Sequence, residues 1–381
     1  MNNNGFNSFC TKLLIALLFT ACLPVRAAET THQADNQKFN LFEPNPKPRF
    51  TIKEITWPVK AGEADICLWR DDRLAAISLT VDDNSAGDIG WWKEQAKTYG
   101  FPVTWFIITR RVGTGPNWGT WDEFAKLNSD LGGHSVESHT ALHLHTDSPA
   151  WKDIDTEYAE SKAQIEKNIP GKIVSALAYP GGPNTKLNDP AKAAKLYRCA
   201  RAAAGKPNPA NQIDYFGVAA MSSINVGDAK TPWSDVNNIT DRSLYRGLYY
   251  RGWAVILQHN VPQVQKDKLH TLFEFIKAHK PQLWMALFAD VAKYGQERDT
   301  ATLKVLSSDN DAIRLEVTDL MDDTYFTYPL TVKVRLPDGW KTLAAMQGGK
   351  ATRGELIQHE GAAYALVDVV PDAGVVTLTV K

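Results

Sequence analysis

The chain has 381 residues, which is enough for one large domain and a smaller one. Hydrophobic residues make up 44% and charged residues 22%, as in ordinary globular proteins. A net charge of -1 gives no basis for expecting nucleic acid or an anionic membrane as a partner. The 12 Trp residues admit two interpretations, because indole rings fill cores but also offer flat apolar faces to sugars.

Residues 1–27 are predicted to be a signal peptide. Lys12 precedes an apolar run at residues 13–23, which suits a signal sequence and is too short to span a bilayer. Small residues around Ala27 suit cleavage, so we expect an exported protein, periplasmic or secreted. A lipid anchor at Cys22 is the alternative, and no other segment is predicted to cross a membrane.

Residues 28–59 are predicted to form an N-terminal extension, polar up to about residue 50. After cleavage only Cys67 and Cys199 remain. An oxidising compartment permits them to form a disulfide, and two buried free thiols are the alternative.

Apolar runs alternate with amphipathic segments from residue 50 to about residue 288. The predicted strands are residues 50–56, 75–83, 103–108, 134–139, 173–179, 253–257 and 282–288, and the predicted helices are residues 89–99, 120–131, 153–168, 191–204 and 266–279. Gly100 suits the end of the first helix, and Thr120 with Glu123 has the form of a capping box. Strand–helix alternation over residues 60–297 indicates parallel βαβ units and therefore an α/β domain.

The pattern changes in residues 298–381. Segments 312–317, 330–336 and 375–380 alternate apolar and polar residues with period two, and glycine-containing turns separate them. We therefore predict a small antiparallel, sandwich-like β domain after the α/β domain.

Two neighbouring carboxylates, Asp82 and Asp83, lie at the carboxyl end of the predicted strand 75–83. Catalytic groups collect at that end of parallel strands. Two carboxylates there repel each other and lose hydration, so a metal ion is the obvious compensating partner.

His139 and His143 are the candidate further ligands. Their i, i+4 spacing places two imidazoles on one face of a helical turn, where they can hold a divalent metal. One Asp and two His leave positions open for water and substrate, as in catalytic metal sites. The other Asp is then free to accept a proton.

These residues resemble the motifs of NodB-type polysaccharide deacetylases, carbohydrate esterase family 4. The two main motifs are Thr80-Val81-Asp82-Asp83 and His139-Thr140-Ala141-Leu142-His143, with a degenerate third motif at Tyr179-Pro180-Gly181-Gly182 and a late motif at Leu257-Gln258-His259. The resemblance implies a distorted (β/α)7-type barrel that hydrolyses N- or O-linked acetyl groups from an acetylated glycan with the help of a divalent metal.

The resemblance also implies roles for individual residues. Asp82 would be the general base and His259 the general acid. Asp83, His139 and His143 would hold the metal, usually Zn²⁺, with Co²⁺, Ni²⁺ or Mn²⁺ as alternatives. Substrate-binding roles fall to Tyr179, to the Gly181 N–H as oxyanion donor, to Leu257 in the acetyl pocket, and to Trp118 as a sugar platform.

Two features of the family pattern are missing. Ala178 stands where the third motif usually has an Arg that orients the base, and Arg198 or Arg201 in the following predicted helix is the candidate substitute. The fourth motif, whose carboxylate pairs with the late His, has no clean match; Trp233, Asp235 and Asp241 are the nearest residues.

The remaining His and Trp residues receive structural interpretations. His134 and His145 flank the ligand pair and are interpreted as surface or supporting groups, and Trp92 is a second candidate sugar platform, with core packing as its alternative. We expect the other three late histidines to be solvated; they are His270, His279 and His359.

Two other functions compete with glycan deacetylation. A hydrolase of the same fold could cut a non-glycan amide, which the signal peptide and the Trp content disfavour. A glycan-binding protein without catalysis is the other alternative, since small β domains often bind sugars. Acetate release from acetylated glycans distinguishes these three functions.

Overall fold

A computed structural model of the chain describes residues 30–31, 46–51, 55–129, 133–182, 188–222 and 251–380. The predicted signal peptide lies outside the described residues. In the described part of the chain, no helix combines the length and the apolar character needed to cross a membrane.

The described chain alternates strands and helices up to residue 300 and contains only strands after it. In chain order the elements are β1 (Thr30–Thr31), β2 (Ala64–Ile66), β3 (Ala75–Asp82), α1 (Ala86–Tyr99), β4 (Val103–Ile107), α2 (Trp121–Ser129), β5 (Ser135–Ser138), α3 (Ile154–Asn168), β6 (Ala176–Ala178), α4 (Pro190–Leu196), β7 (Cys199–Arg201), β8 (Met221–Ser222), β9 (Trp253–Gln258), α5 (Gln263–Ala278), β10 (Leu283–Met285), α6 (Phe288–Thr300), β11 (Thr302–Ser308), β12 (Ala312–Thr318), β13 (Leu330–Arg335), β14 (Ala344–Gln347), β15 (Lys350–Ala351), β16 (Gly354–His359), β17 (Ala362–Val369) and β18 (Val376–Thr379).

The first part of the fold is a curved parallel sheet centred on β3. Its strand order is β7-β6-β5-β4-β3-β9-β8, and β10 pairs with the first residues of β3. All eight residues of β3 are buried, because helices and the barrel interior cover the two faces of the sheet. The buried Thr80 hydroxyl donates to the Ile256 carbonyl at 2.9 Å. This sheet confirms the predicted distorted (β/α) barrel.

Local signals placed several helix ends correctly. Helix α1 ends at Gly100, whose φ of 68° is left-handed and whose N–H donates to the Ala96 carbonyl. The Thr120 N–H donates to Glu123 Oε2 at 2.8 Å and the Glu123 N–H to Thr120 Oγ1 at 3.3 Å, which is the predicted capping box.

The predicted helix over residues 191–204 is wrong in its second half. Helix α4 ends at Leu196, and the chain then forms β7 beside β6. Alanine favours helix, but pairing with β6 satisfies the backbone polar groups of residues 199–201 and buries their side chains. Tertiary pairing therefore overrides local propensity at this point.

The predicted strand over residues 50–56 is not present in its described residues. Phe50, Thr51, Ile55 and Thr56 have no strand structure, and residues 52–54 lie outside the described part of the chain. The Phe50 carbonyl accepts from the Asn211 amide at 2.7 Å, so this stretch is bound to a loop rather than to a sheet edge.

The second part of the fold confirms the predicted antiparallel β sandwich. One sheet has the order β1-β11-β12-β18-β14-β15 and the other β16-β17-β13-β2, and buried apolar residues of both sheets join one core. Strand β2 precedes the barrel in sequence, within the predicted range 60–297, yet it pairs with β13 through Ile66 and Val332. The N-terminal chain thus completes the C-terminal sandwich.

Helix α6 joins the two parts and was not predicted. Its last seven residues, 294–300, are all buried although four of them are strongly polar. Arg298 donates to the Leu68 and Ala210 carbonyls, both at 2.7 Å, and pairs with Asp299 at 2.6 Å. Because the polar residues face protein on every side, the segment has no amphipathic pattern that a sequence could reveal.

Both remaining cysteines are buried free thiols. Burial raises the pKa of the Cys67 and the Cys199 thiol well above the ordinary value. The free-thiol alternative therefore describes this structure, and each thiol is unreactive in the folded state.

We expect Glu297→Gln to stabilise the protein near pH 8. Glu297 is fully buried in α6, and burial, followed by the charge of Asp319, raises its pKa from 4.5 to about 9. The folded protein keeps this proton to about pH 9, whereas the unfolded chain loses it near pH 4.5. Stability therefore falls as the pH rises between these values, and Gln removes the penalty, by about 1–3 kcal/mol near pH 8.

Urea unfolding between pH 5 and 9 tests this expectation on the full chain. Glu360→Gln, which changes an exposed carboxylate, is the matched control and should leave the pH dependence as it is. A Glu297→Gln variant with the wild-type slope would contradict the prediction.

Candidate active site

The candidate site begins where β3 ends. Asp82 is the last strand residue and is 2% exposed, whereas Asp83 and Asn84 turn into the left-handed region with φ of 71° and 58°. The Asn84 side chain fixes this turn, since its amide donates to the Ile108 carbonyl at 3.0 Å and its oxygen accepts from the Ile108 N–H at 2.7 Å. The turn separates the adjacent carboxylates, with Asp82 buried and Asp83 about one third exposed.

His139 and His143 converge on Asp83 from the loop after β5. The ring centroids of the two histidines are 4.8 Å apart. The expected helical turn is wrong, because residues 139–143 form no helix and both Thr140 and His143 have positive φ. Thr140 Oγ1 accepts from the His143 N–H at 3.0 Å, and Glu157 Oε2 in α3 accepts from the Leu142 N–H at 2.6 Å. The loop itself thus brings the two imidazoles together.

These three side chains fit a divalent metal. His139 Nε2 and His143 Nε2 lie 3.5 Å and 3.9 Å from Asp83 Oδ1, a buried oxygen with no hydrogen-bond partner among the described residues. His139 Nδ1 donates to the Ala178 carbonyl at 2.8 Å, which leaves the Nε2 lone pair directed to the site. Burial lowers the pKa of His139 to about 3 and also lowers that of His143, so the neutral, ligating forms are favoured.

A second group of carboxylates also comes together, at the surface of the β sandwich. Ligand atoms of Asp319, Asp323 and Asp372 lie within 4.8 Å of one another. Exposed acidic groups often gather without binding an ion, so we assign no function to this group.

Arg201 on β7 supplies the cation that Ala178 lacks. Its Nη2 lies 2.5 Å from Asp82 Oδ2, and both side chains are almost completely buried. Asp82 Oδ1 has no hydrogen-bond partner among the described residues. Arg198, the other candidate, is engaged elsewhere, with its guanidinium 4.2 Å from the Tyr325 ring centroid. The replacement therefore comes from the neighbouring strand, not from a helix.

His259 follows β9 on the open side of the site. Its Nε2 lies 3.7 Å from Asp83 Oδ2, and its side chain is about half exposed. The residues named as the nearest match to the fourth motif, Trp233, Asp235 and Asp241, lie outside the described part of the chain.

The predicted substrate-binding residues lie at or after the carboxyl ends of β6 and β9 and in the segment beside the Asp83 turn. Leu257 is buried at the end of β9. Tyr179 is buried after β6, and its N–H donates to the Arg201 carbonyl at 2.9 Å. Gly181 follows with φ of 69°, and no described residue accepts from its N–H in a backbone hydrogen bond. Trp118 is half-buried beside the Asp83 turn, where it forms a bridge with Ser85.

Two of the other aromatic and imidazole predictions are wrong. Trp92 is 1% exposed and packs on Phe273, so it belongs to the core and cannot stack on a sugar. His134 is buried at the opposite end of β5 from His139 and does not flank the ligand pair. His145 is exposed beside His143, with ring centroids 6.4 Å apart, as the surface interpretation expects.

The late histidines differ from one another. His270 is exposed, and His279 is half-buried with Nδ1 donating to the Phe275 carbonyl. His359 is not simply solvated, because its ring stacks on Trp57 with centroids 3.8 Å apart. None of these three contacts the candidate site residues.

Comparison with known protein families gives the site a context. The family model for polysaccharide deacetylase matches residues 71–198. This range contains Asp82, Asp83, His139 and His143 in the arrangement described above. Residues 71–198 belong to the polysaccharide deacetylase family. Arg201, Leu257 and His259 lie beyond the matched range.

One curated protein is similar over most of this chain. It is a gellan lyase from a Bacillus species, 33% identical over 346 residues, which cover 84% of the chain. This chain spans 13% of the length of that protein, so the lyase name describes a far larger molecule.

Several solved structures are similar to parts of this chain, among them the following three. A polysaccharide deacetylase from Bacillus cereus is 26% identical over 38% of this chain and 46% of its own, with a TM-score of 0.31. The deacetylase domain of a multidomain xylanase from the Trinervitermes trinervoides hindgut metagenome is 16% identical over 56% and 87%, with a TM-score of 0.35. A family pseudoenzyme from Bacillus anthracis is 15% identical over 57% and 66%, with a TM-score of 0.35. All three TM-scores are below 0.5, so the family assignment rests on the sequence match.

Several residues of the site gave no signal in the sequence. Glu157 holds the His143 loop from within α3, where its spacing is that of any charged helix residue. Asn84 and the Ala178 carbonyl act through contacts that only the folded chain creates. Arg201 had a weak signal, since the absence of the third-motif Arg called for a nearby substitute.

Proposed function

We propose that this protein hydrolyses acetyl groups from a glycan with a divalent metal, Zn²⁺ in the first place, held by Asp83, His139 and His143. The proposal rests on the different surroundings of the two neighbouring carboxylates at the end of β3. Asp83 lies with two neutral histidines, while Asp82 lies against a buried guanidinium. Asp83 is therefore assigned to metal binding and Asp82 to proton transfer.

Asp83, His139 and His143 would hold the cation, which would polarise the acetyl carbonyl and lower the pKa of the attacking water. Asp82 accepts the proton of that water at Oδ1, because Oδ2 is held by Arg201. Arg201 pairs with Asp82 and fixes the orientation of its carboxylate. His139 is held in one tautomer by the Ala178 carbonyl.

The remaining steps fall to residues on the open side. His259 Nε2 donates a proton to the leaving amine or alcohol, since it is the exposed imidazole nearest to Asp83. The Gly181 N–H stabilises the developing oxyanion, and Leu257 contacts the acetyl methyl group. Trp118 offers its half-buried indole to a sugar ring. The predicted signal peptide supports action outside the cytoplasm.

Acetate release from a panel of glycans tests this function. The panel includes chitooligosaccharides, peptidoglycan, acetylated xylan and gellan, the last because it stands in the name of the similar Bacillus protein. The metal-loaded chain should release acetate from at least one of them and lose this activity to a chelator. Absence of acetate from every member would favour a non-glycan amide hydrolase or a glycan-binding protein.

We expect His139→Ala to lose the metal and the activity together. His139 is 2% exposed and contributes one of three protein ligands, so its removal leaves too few for a stable site. Metal content measured by mass spectrometry should fall from about one equivalent to near zero. His270→Ala, which changes an exposed histidine away from the site, is the control and should keep both. Full metal occupancy in His139→Ala would rule out this ligand set.

A further inference from the structure

One segment of the barrel rim, residues 109–119, contacts both loops that carry the candidate metal ligands. On one side the Thr109 and Arg110 N–H groups donate to the Thr140 and Ala141 carbonyls, at 3.2 Å and 3.0 Å. On the other side the Gly119 N–H donates to the Asn84 carbonyl at 2.9 Å. The backbone of this rim segment is therefore anchored to both loops, beside the site.

Arg111 is one of the two arginines in this rim segment, and its guanidinium has two neighbours. Its Nη2 donates to His145 Nε2 at 2.8 Å, and its guanidinium lies 5.4 Å from the Trp118 ring centroid. A guanidinium can only donate, so the His145 nitrogen accepts this hydrogen bond, and neither partner of Arg111 carries a negative charge. They orient it without neutralising its charge.

The adjacent Arg110 differs from Arg111 because its charge is paired with a carboxylate. Its Nε forms a close ion pair with Glu160 of α3. Arg111 forms no ion pair with any carboxylate among the described residues, although it is only one position along the chain. A guanidinium presents several N–H donors in a planar fork that matches a carboxylate, and a stacked, partly desolvated Arg binds one better than a solvated Arg does.

We propose that this rim binds a sugar carboxylate, so that the substrate is an acidic glycan containing uronic acid residues. Arg111 pairs with the carboxylate, and Trp118 contacts the apolar face of a neighbouring sugar ring. This inference rests on the proposed deacetylase function for its meaning, but the binding itself does not require turnover.

Isothermal titration of the full chain with two matched ligands tests the proposal. One ligand is a xylooligosaccharide carrying glucuronic acid, and the other is the same oligosaccharide without it; neither is acetylated. We expect the acidic ligand to bind at least about tenfold more tightly at low salt, and the difference to shrink as the salt concentration rises.

Four variants test whether Arg111 causes the preference for the acidic ligand. Arg111→Ala should remove the preference for the acidic ligand while leaving the neutral ligand unaffected, and Arg111→Lys should keep part of it. Arg110→Ala, a loss of the same charge at the adjacent position, is the control and should keep the full preference. Trp118→Ala should weaken both ligands alike, since stacking does not depend on the carboxylate.

Equal affinities of the wild type for the two ligands, or no binding of either, would overturn the proposal. So would an Arg111→Ala variant that retains the preference. Because these titrations need no acetyl group, a protein that binds the acidic ligand but releases no acetate would refute the proposed activity and leave this site standing.

Discussion

Asp82→Asn is expected to reduce acetate release by at least about a hundredfold while the protein still binds its metal. A positioned general base contributes about 10²–10⁴ to the rate, and an amide cannot accept the proton of the attacking water. Asp82 is separated from the ligand group by the left-handed turn at Asp83, so the substitution leaves Asp83, His139 and His143 in place.

The measurement pairs kinetics with metal analysis on the same preparation. Asp82→Asn should show wild-type metal content and little turnover, whereas Asp83→Asn should lose both, because it removes a ligand. Thermal unfolding checks that each variant is folded, which matters because Asn neutralises one member of a buried ion pair. A fully active Asp82→Asn protein would show that the base lies elsewhere.

The position of this site could be predicted because its signals are local. The apolar run at residues 75–81, which includes β-branched residues, predicts a buried strand. Functional groups collect at the carboxyl end of a parallel strand. The structure places Asp82 and Asp83 there, at the end of β3, with His139 and His143 near Asp83. Cap residues such as Gly100 are equally local, since each satisfies backbone groups of its own helix.

The parts that could not be predicted depend on contacts between distant residues. Arg201 meets Asp82 across 119 positions of sequence, and nothing in an alanine-rich segment shows that it becomes a strand. His139 and His143 come together through a loop with positive φ, where the spacing favoured a helix. Helix α6 could not be predicted from the sequence, because its buried polar residues form a pattern that resembles a solvated segment.

Arg201→Ala is expected to cost about 3–5 kcal/mol of stability, the usual effect of removing one partner of a buried ion pair. Both side chains are 2–3% exposed, so no solvent replaces the guanidinium beside Asp82. Among the described residues no other Lys or Arg lies within ion-pair distance of Asp82, and the nearby His139 imidazole is neutral because burial lowers its pKa to about 3. A second, functional effect follows from the same loss.

Without the guanidinium, Asp82 Oδ2 loses its hydrogen-bond donor, and the carboxylate is no longer held with Oδ1 free to accept a proton. Arg201→Ala should therefore lower kcat by at least about tenfold with little change in KM, because the loss concerns proton transfer and not substrate binding. A merely structural role would lower the amount of folded, metal-loaded protein without changing kcat per folded, metal-loaded molecule. Arg201→Lys, which keeps a charged donor, should retain more of kcat.

Arg198→Ala provides the matched control for this experiment. Arg198 lies three positions earlier, immediately before β7, and its guanidinium packs on the Tyr325 ring instead of Asp82. Its removal should leave kcat unchanged, whatever it does to stability. If Arg201→Ala and Arg198→Ala both had the wild-type kcat, Arg201 would be a structural residue, and the orientation of Asp82 would have to come from the turn at Asp83 and Asn84 alone. If only Arg201→Ala lowers kcat, the barrel has transferred the third-motif cation from β6 to the adjacent strand while keeping its contact with the base.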